Sequence, residues 1–322
     1  MNRMVLSVGE YILRKTIPKS WHFMLNPRIL QLKELYGIRI LSAIWFITWD
    51  CNFKCPYCWQ WAEPELYRKH YPIGWKKWVI AWNKIAVKFD KVVCGITGGE
   101  PFIYTDFLEL LQELPSNMIY DITSNLSFNV ERFLKIASKR CTGVVCSYHP
   151  ANITNNLSYT DNFIQKVRLL KILPNTRVNF VAAPQNLKYY YKLKQLCEKY
   201  NIELHVDQCT TKINNSKSTK EELRMANSIL SKDRQHSCKK IIQRTVMCSA
   251  GKNHILLHPN GMTYPCIKLE NEYVNTRNTS PLIGNFFDEN FSLRDKGIKC
   301  ALYPKCALCD YDNIYVKAIK EH

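Results

Sequence analysis

The sequence predicts an α/β fold, a parallel β-sheet covered by helices, and three observations carry that expectation. Six short apolar runs rich in β-branched and aromatic residues recur between residues 40 and 207. Amphipathic stretches with helical spacing separate them, which is the alternation that parallel strands require. The composition, 46% apolar and 22% charged over 322 residues, suffices for a large domain with or without a small companion and excludes a low-complexity chain.

In chain order, residues 1–39 are basic, and Met4, Val5, Val8, Tyr11 and Ile12 fall at helical spacing ahead of Arg14, Lys15 and Lys19. Such a segment packs on the domain that follows or lies on a membrane surface. Over residues 40–207 the expected strands are Ile40–Trp49, Val92–Thr97, Met118–Ser124, Gly143–Ser147, Arg177–Ala182 and Glu203–Asp207. The helices expected between them are Lys76–Phe89, Tyr104–Glu113, Asn129–Lys139, Thr160–Ile172 and Leu187–Tyr200. In such folds ligands gather at the carboxyl ends of the strands, so the loops leaving each strand are where functional residues are sought. Residues 208–247 form a polar, helical linker in which Thr219 and Glu222 are spaced as a capping box. From Cys248 the pattern changes to short β-like runs, an Asn260–Gly261 hairpin turn and many cysteines, which predicts a smaller second domain over 248–322.

Lys and Arg outnumber Asp and Glu by 45 to 27, a formal charge of +18. That charge serves solubility or meets an acidic partner; with no helix-turn-helix, zinc-finger or RNP signature beside it, nucleic acid is not indicated. The longest strongly apolar run, Ile40–Trp49, is ten residues, about half of a bilayer span. Glu10, Arg14 and Lys15 interrupt the N-terminal apolar stretch, so it does not read as a secretory signal. The expectation is a cytoplasmic protein, in which 14 cysteines argue for metal or redox chemistry over disulfides.

Directly after the first expected strand stands Cys51-Asn-Phe-Lys-Cys55-Pro-Tyr-Cys58. Three thiolates within eight residues suit one soft metal centre, yet a structural zinc site takes four ligands. A [4Fe-4S] cluster held by three thiolates keeps one iron open to an exogenous ligand, which is an arrangement for chemistry. This CxxxCxxC loop resembles that of the radical S-adenosylmethionine (radical SAM) superfamily. The resemblance implies a partial (βα)6 TIM-like barrel over residues 40–207. It further implies a SAM-binding [4Fe-4S] cluster and reductive cleavage of S-adenosyl-L-methionine to a 5′-deoxyadenosyl radical that abstracts hydrogen from substrate. An external electron donor such as flavodoxin or ferredoxin follows from the same chemistry.

At the end of the second expected strand, Thr97-Gly98-Gly99-Glu100-Pro101 offers backbone that can approach a ligand closely and a carboxylate that can meet an ammonium. An ordinary glycine turn into a helix has the same look. Beside the cysteines it resembles the superfamily's GGEP element, which implies that Gly98, Gly99, Glu100 and Pro101 hold the methionine amine. By the same resemblance Ser124, Asn125 and Ser147 contact SAM, and the backbone of Tyr57 meets the adenine.

Nearer the C-terminus lie Cys248, Cys266, Cys300, Cys306 and Cys309. The Gly261-xxxx-Cys266 spacing, the run Pro281-Leu-Ile-Gly-Asn-Phe-Phe and the pair Cys306-Ala-Leu-Cys309 resemble the twitch and SPASM domains of radical SAM enzymes. That resemblance implies a small α+β domain with one auxiliary [4Fe-4S] cluster on Cys248, Cys266, Cys306 and Cys309. Cys300 is the rival ligand, Cys238 a lesser one, and a four-cysteine zinc site the alternative. Cys94, Cys141, Cys146, Cys197 and Cys209 read as small buried hydrophobes.

Other strand ends present Tyr148-His149, Gln185, Asn186, Asp207 and Gln208. His149 has the pKa range of a general base, although a His-Pro pair leaving a strand also serves as plain loop. His205 and Asp207 alternate onto one strand face: inward they orient a polar substrate, outward they are a solvated pair. The expected activity is C–H abstraction from a small polar, sugar- or cyclitol-like substrate. The auxiliary cluster would take the electron in a dehydrogenation, an oxidoreductase reaction. Three alternatives stand beside it: a maturase acting on a ribosomally made peptide, a lipid-modifying enzyme anchored through the N-terminal segment, and a non-catalytic metal-binding scaffold.

Overall fold

The computed structural model describes residues 37–61, 64–67, 69–137, 139–150, 158–209, 219–233, 246–248, 250–267, 270, 281–299 and 316–318. The basic N-terminal segment and its expected helix lie almost wholly outside them. Six parallel strands form the body: β1 (Ile40–Thr48), β2 (Lys91–Gly98), β3 (Met118–Ser124), β4 (Cys141–Tyr148), β5 (Arg177–Ala182) and β6 (Leu204–Gln208). Each pairs with the next, and five helices make the return crossings: α1 (Trp75–Ala86), α2 (Phe107–Glu113), α3 (Val130–Ile136), α4 (Tyr159–Leu170) and α5 (Tyr190–Lys199). This is the mostly parallel α/β sheet that the sequence pattern predicts, with every expected strand present.

Alternation along the strands divides the sheet into two faces. On the helix side Leu41, Ala43, Trp45 and Ile47 of β1 meet Trp78, Ala81, Trp82 and Ile85, which recur at three- and four-residue spacing on α1. Trp45 sits 4.8 Å from Trp78 and 5.5 Å from Trp82, so three indoles form the centre of this layer. The opposite, concave face is more polar and carries Ser42, Asp121, Arg177, Asn179, His205 and Asp207.

Helix boundaries differ from the expectation where turns intervene. Pro101–Ile103 forms a 3-10 turn and Tyr104 leaves it extended, so α2 begins at Phe107 instead of Tyr104. A second 3-10 turn, Pro184–Tyr189, delays α5 in the same way. The capping box is present as spaced: Glu222 N donates to Thr219 Oγ1 at 3.1 Å, and Thr219 N donates to Glu222 Oε2 at 2.8 Å, opening α6 (Lys220–Asp233).

The segment after α6 begins with β7 (Val246–Cys248), and β8 (His254–Leu257) then lies parallel beside β1, pairing Ser42 with His254 and Trp45 with Leu257. β9 (Met262–Tyr264) and β10 (Gly284–Asn285) continue antiparallel, giving the order β10-β9-β8-β1-β2-β3-β4-β5-β6 among the described residues. Ile255, Leu257, Phe286 and Phe291 enter the same core as the parallel strands and their helices. The hairpin expected in a second domain thus extends the first domain's sheet. β7 forms a separate small sheet with β11 (Ile298–Lys299) and β12 (Val316–Ala318). No helix among the described residues is long and apolar enough to cross a membrane.

Buried ionisable groups, His254, His258 and Asp121 among them, set the expected pH range of the fold. Burial lowers His254, whose Nδ1 lies 3.2 Å from Ser42 Oγ, and His258 from 6.5 to about 3. Burial raises Asp121 from 3.8 to about 8 against the opposing pull of Arg177. The two histidines' contribution is therefore lost as pH falls below about 6.5 toward 3, while that of Asp121 is lost as pH rises toward and through about 8. Melting temperature should peak between these limits, with His258→Phe flattening the acid limb and Asp121→Asn the alkaline one. A profile flat from pH 4 to pH 9, read by thermal melts at roughly unit steps, would contradict both assignments.

Candidate active site

The loop leaving β1 carries the first three cysteines. Asp50 N donates to Thr48 Oγ1 at 3.0 Å and Cys58 N to Cys55 O at 3.0 Å, which folds residues 50–58 back over the strand ends. Cys55 is buried, Cys51 and Cys58 are half-buried, and all three are thiols outside any disulfide. Phe53 N lies 3.4 Å from Cys51 Sγ, a contact that suits a thiolate acceptor. Among the described residues, no three His, Cys, Asp or Glu side chains converge into a metal-holding group.

The Gly98–Pro101 turn packs on this loop through backbone. Gly99 N donates to Thr48 O and Glu100 N to Asp50 O, each at 2.8 Å. A Cβ on Gly98, at φ +136°, would stand 2.2 Å from Thr48 O, and one on Gly99 would stand 2.0 Å from Asp50 O. The glycines therefore bring the β1 and β2 loops together; the close approach they permit is to the chain's own backbone.

Glu100 ties in the third strand end. Its Oε1 accepts from Phe102 N (3.1 Å) and Ser124 Oγ (2.8 Å), and its Oε2 from Asn125 N (2.7 Å). Asn125 Nδ2 in turn donates to Asn52 Oδ1 at 2.9 Å, beside Cys51. The carboxyl is fully buried, and burial raises its pKa although these three donors pull it back. Three of about four lone-pair sites on the carboxylate are thus committed inside the protein. Glu100→Gln puts an NH2 against one of these donors, so it should destabilise the fold by about 1–3 kcal/mol, read as a lower urea midpoint. An unchanged midpoint would show that the network does not hold the strand ends.

The β4 end meets the cysteine loop through Tyr57, whose hydroxyl lies 2.8 Å from His149 Nδ1. Burial holds His149 down at about 4, leaving a neutral imidazole at neutral pH, and pushes the Tyr57 phenol well up. Ser147, one turn of the pleat earlier, is buried beside them, while Tyr148 points the other way and bonds Thr160 at 2.7 Å. Cys55 and Tyr57 also pack with Ala183, Val181 and Cys209 from the β5 and β6 ends. Cys94, Cys141, Cys146 and Cys197 are buried as expected, but Cys209 is only half-buried and lines this loop.

The structure also decides the facing of His205 and Asp207. Val206 between them enters the helix-side core, so both lie on the concave face, with their side chains about half exposed. Asn179 Nδ2 donates to Asp207 Oδ2 at 2.7 Å, and His205 Nε2 lies 3.1 Å from Asp207 Oδ1. Burial raises the Asp207 carboxyl, but these hydrogen bonds and the charges of His205 and Arg177 outweigh it and hold the group below its usual range. Asn186 is buried and spends its Nδ2 on Val181 O (3.0 Å), while Gln185 is half-buried.

Of the C-terminal cysteines, Cys248 is placed by its backbone in β7, and Cys266 is half-buried just past β9. Cys238, Cys300, Cys306 and Cys309 lie outside the described residues. Sequence reasoning missed the aromatic enclosure of His258, where Phe46, Trp49, Tyr67 and Tyr264 stand 4.9–6.3 Å away ring to ring. Tyr67 closes it with a 2.5 Å hydrogen bond to Glu270. It also missed Asn52 and Asn179, because an isolated asparagine carries no spacing signal.

The family model for the radical SAM superfamily matches residues 45–180, the stretch that runs from inside β1 to within β5 and contains the loops leaving β1, β2, β3 and β4. Over that stretch the chain is similar to radical SAM proteins. Probable GTP 3′,8-cyclases of Methanocaldococcus jannaschii and Methanococcus maripaludis are 27% identical over 188 residues and 24% identical over 185. Each alignment covers 54% of this chain, which spans 61% of the length of either relative. Among solved structures, native anSMEcpe with bound AdoMet superimposes with a TM-score of 0.53 at 16% identity, over 77% of this chain and 78% of that one. The same protein with AdoMet and Cp18Cys peptide gives 0.53 at 14% identity, over 86% and 88%. At these identities the likeness is one of fold. The cysteine loop of this chain follows β1, at the carboxyl end of the first strand of the parallel sheet. The donor chemistry fits the superfamily's cluster: three thiols on one eight-residue loop, locked by backbone to the neighbouring strand end.

Proposed function

We propose that the chain is a radical SAM enzyme that reductively cleaves S-adenosyl-L-methionine and abstracts hydrogen from a small polar substrate. One observation carries the reading: a three-thiol loop joined by backbone hydrogen bonds to Gly99 and Glu100, at adjacent strand ends of a parallel barrel. When bound, a three-thiolate [4Fe-4S] cluster with SAM on its open iron supplies the electron that breaks the sulfonium bond to give a 5′-deoxyadenosyl radical. Cys51, Cys55 and Cys58 would hold the cluster. The Gly98–Pro101 turn and Asn125 orient the loop against the β2 and β3 ends. Tyr57 and His149 close the β4 side, where a neutral imidazole hydrogen-bonded to a phenol keeps water and charge away from a reactive site.

The auxiliary cluster on Cys248, Cys266, Cys306 and Cys309, with Cys300 as rival, belongs to the same proposal. The pairing of the Cys248 backbone with Ile298, two residues before Cys300 in sequence, supports the rival ligand Cys300 beside Cys248. Iron and acid-labile sulfide after anaerobic reconstitution test both clusters: about eight of each per chain supports two [4Fe-4S] centres. About four of each, with zinc bound, would make the C-terminal site a structural staple and remove the electron acceptor from the scheme.

A further inference from the structure

The β5–β6 wall of the concave face carries a carboxylate that the cluster chemistry does not use. Asp207 has one oxygen held by Asn179 Nδ2 and the other by His205 Nε2, which fixes the carboxylate plane from both sides. Each oxygen keeps a second lone pair, and the side chain is about half exposed toward the concave face. Two such acceptor sites on one carboxylate are spaced to receive two O–H groups on adjacent carbons. Val181, the register partner of Asp207, packs against Cys55 and Tyr57, so this wall stands at the level of the cysteine loop. Arg177, which opens β5 on the same face four residues before Val181, adds a positive charge that favours the ionised Asp207 carboxylate.

We infer that Asp207, set in place by Asn179 and His205, binds a vicinal diol of the substrate, making a polyhydroxylated ring the substrate class. This rests on the proposed radical SAM reading. The ring's hydroxyls donate to Asp207, and a C–H bond beside the diol is thereby held facing the loop of Cys51–Cys58. Asn179 and His205 are positioning residues that act through Asp207. An apolar lipid chain would desolvate the Asp207 carboxylate without offering it an O–H donor, which disfavours a lipid on this wall.

The test uses the reconstituted full chain with SAM, and myo-inositol and methyl glucoside as probes, followed by saturation-transfer NMR. Both diols should bind, and cyclohexanol, which has the ring without the diol, should not. Asp207→Asn should weaken inositol binding about tenfold or more, since a carboxamide loses an acceptor and turns a donor toward the hydroxyls. Asn179→Ala should weaken it about three- to tenfold, with a melting temperature near wild type distinguishing lost positioning from misfolding. Equal binding of cyclohexanol, no binding of either diol, or an Asp207→Asn variant that binds as wild type would overturn the assignment, as would preferential binding of a serine-rich peptide. Release of 5′-deoxyadenosine by the wild type reports separately on the radical SAM reading, so either idea can fail alone.

Discussion

Replacing Cys55 by Ala should abolish SAM cleavage: release of 5′-deoxyadenosine under dithionite falls about a thousandfold or more, beyond about 4 kcal/mol of barrier. Iron falls with it, by about four per chain, while the C-terminal site keeps its metal. The physical reason is that the loop itself offers three thiols, the number that a cluster with one open iron requires. Cys55 is the buried one of the three, packed between Tyr57 and Ala183, so nothing from solvent substitutes for its sulfur. Cys94→Ala is the matched control, since Cys94 is fully buried on the helix side of β2, away from the loop. It should lose some stability and no iron. Undiminished 5′-deoxyadenosine from Cys55→Ala would end the central proposal.

Gly99→Ala should be the most damaging substitution outside the cysteines. Its methyl would stand 2.0 Å from Asp50 O and 2.5 Å from Asp50 C, against backbone that cannot rotate away as a side chain can. Relief requires separating the β2 turn from the β1 loop, breaking the Gly99 N to Thr48 O and Glu100 N to Asp50 O bonds. A cost of about 3 kcal/mol or more is expected, a fall of roughly 6 °C in melting temperature, together with weaker SAM binding. Gly74→Ala is the control, because a Cβ there meets nothing within 4 Å at an ordinary backbone angle. It should melt within about 2 °C of the wild type, since the only cost is Ala in place of Gly at the α1 N-cap. Melting of Gly99→Ala within about 1 °C of wild type would show that close backbone packing is not what this glycine is for.

Particular residues show how far sequence reasoning reached. The strands were legible because parallel strands buried on one face and flanked by helices leave unmistakable apolar runs, and Met118–Ser124 and Arg177–Ala182 agree to the residue. The cysteine loop was legible because its spacing is local. The roles of Gly98 and Gly99 were not: their flexibility was evident, but only the fold shows that Thr48 and Asp50 fill the space the missing side chains leave. Glu100 was expected to face a ligand ammonium; in the structure its carboxylate accepts from Phe102 N of its own turn and from Ser124 and Asn125 at the β3 end. Those partners are up to 25 residues away in the chain, beyond any spacing rule.

By itself, the sequence determined the parallel α/β architecture, the location of chemistry at the strand ends, and the three-thiol donor set, since each depends on local pattern or residue type. Tertiary structure decided that the Cys266 hairpin joins the barrel through β8 beside β1, because a strand edge accepts whichever segment presents matching backbone and an apolar face. It decided that Tyr57 meets His149 across 92 residues. It also decided that His205 and Asp207 face inward, since a two-residue period shows that side chains share a face and only the position of Val206 in the core says which face it is.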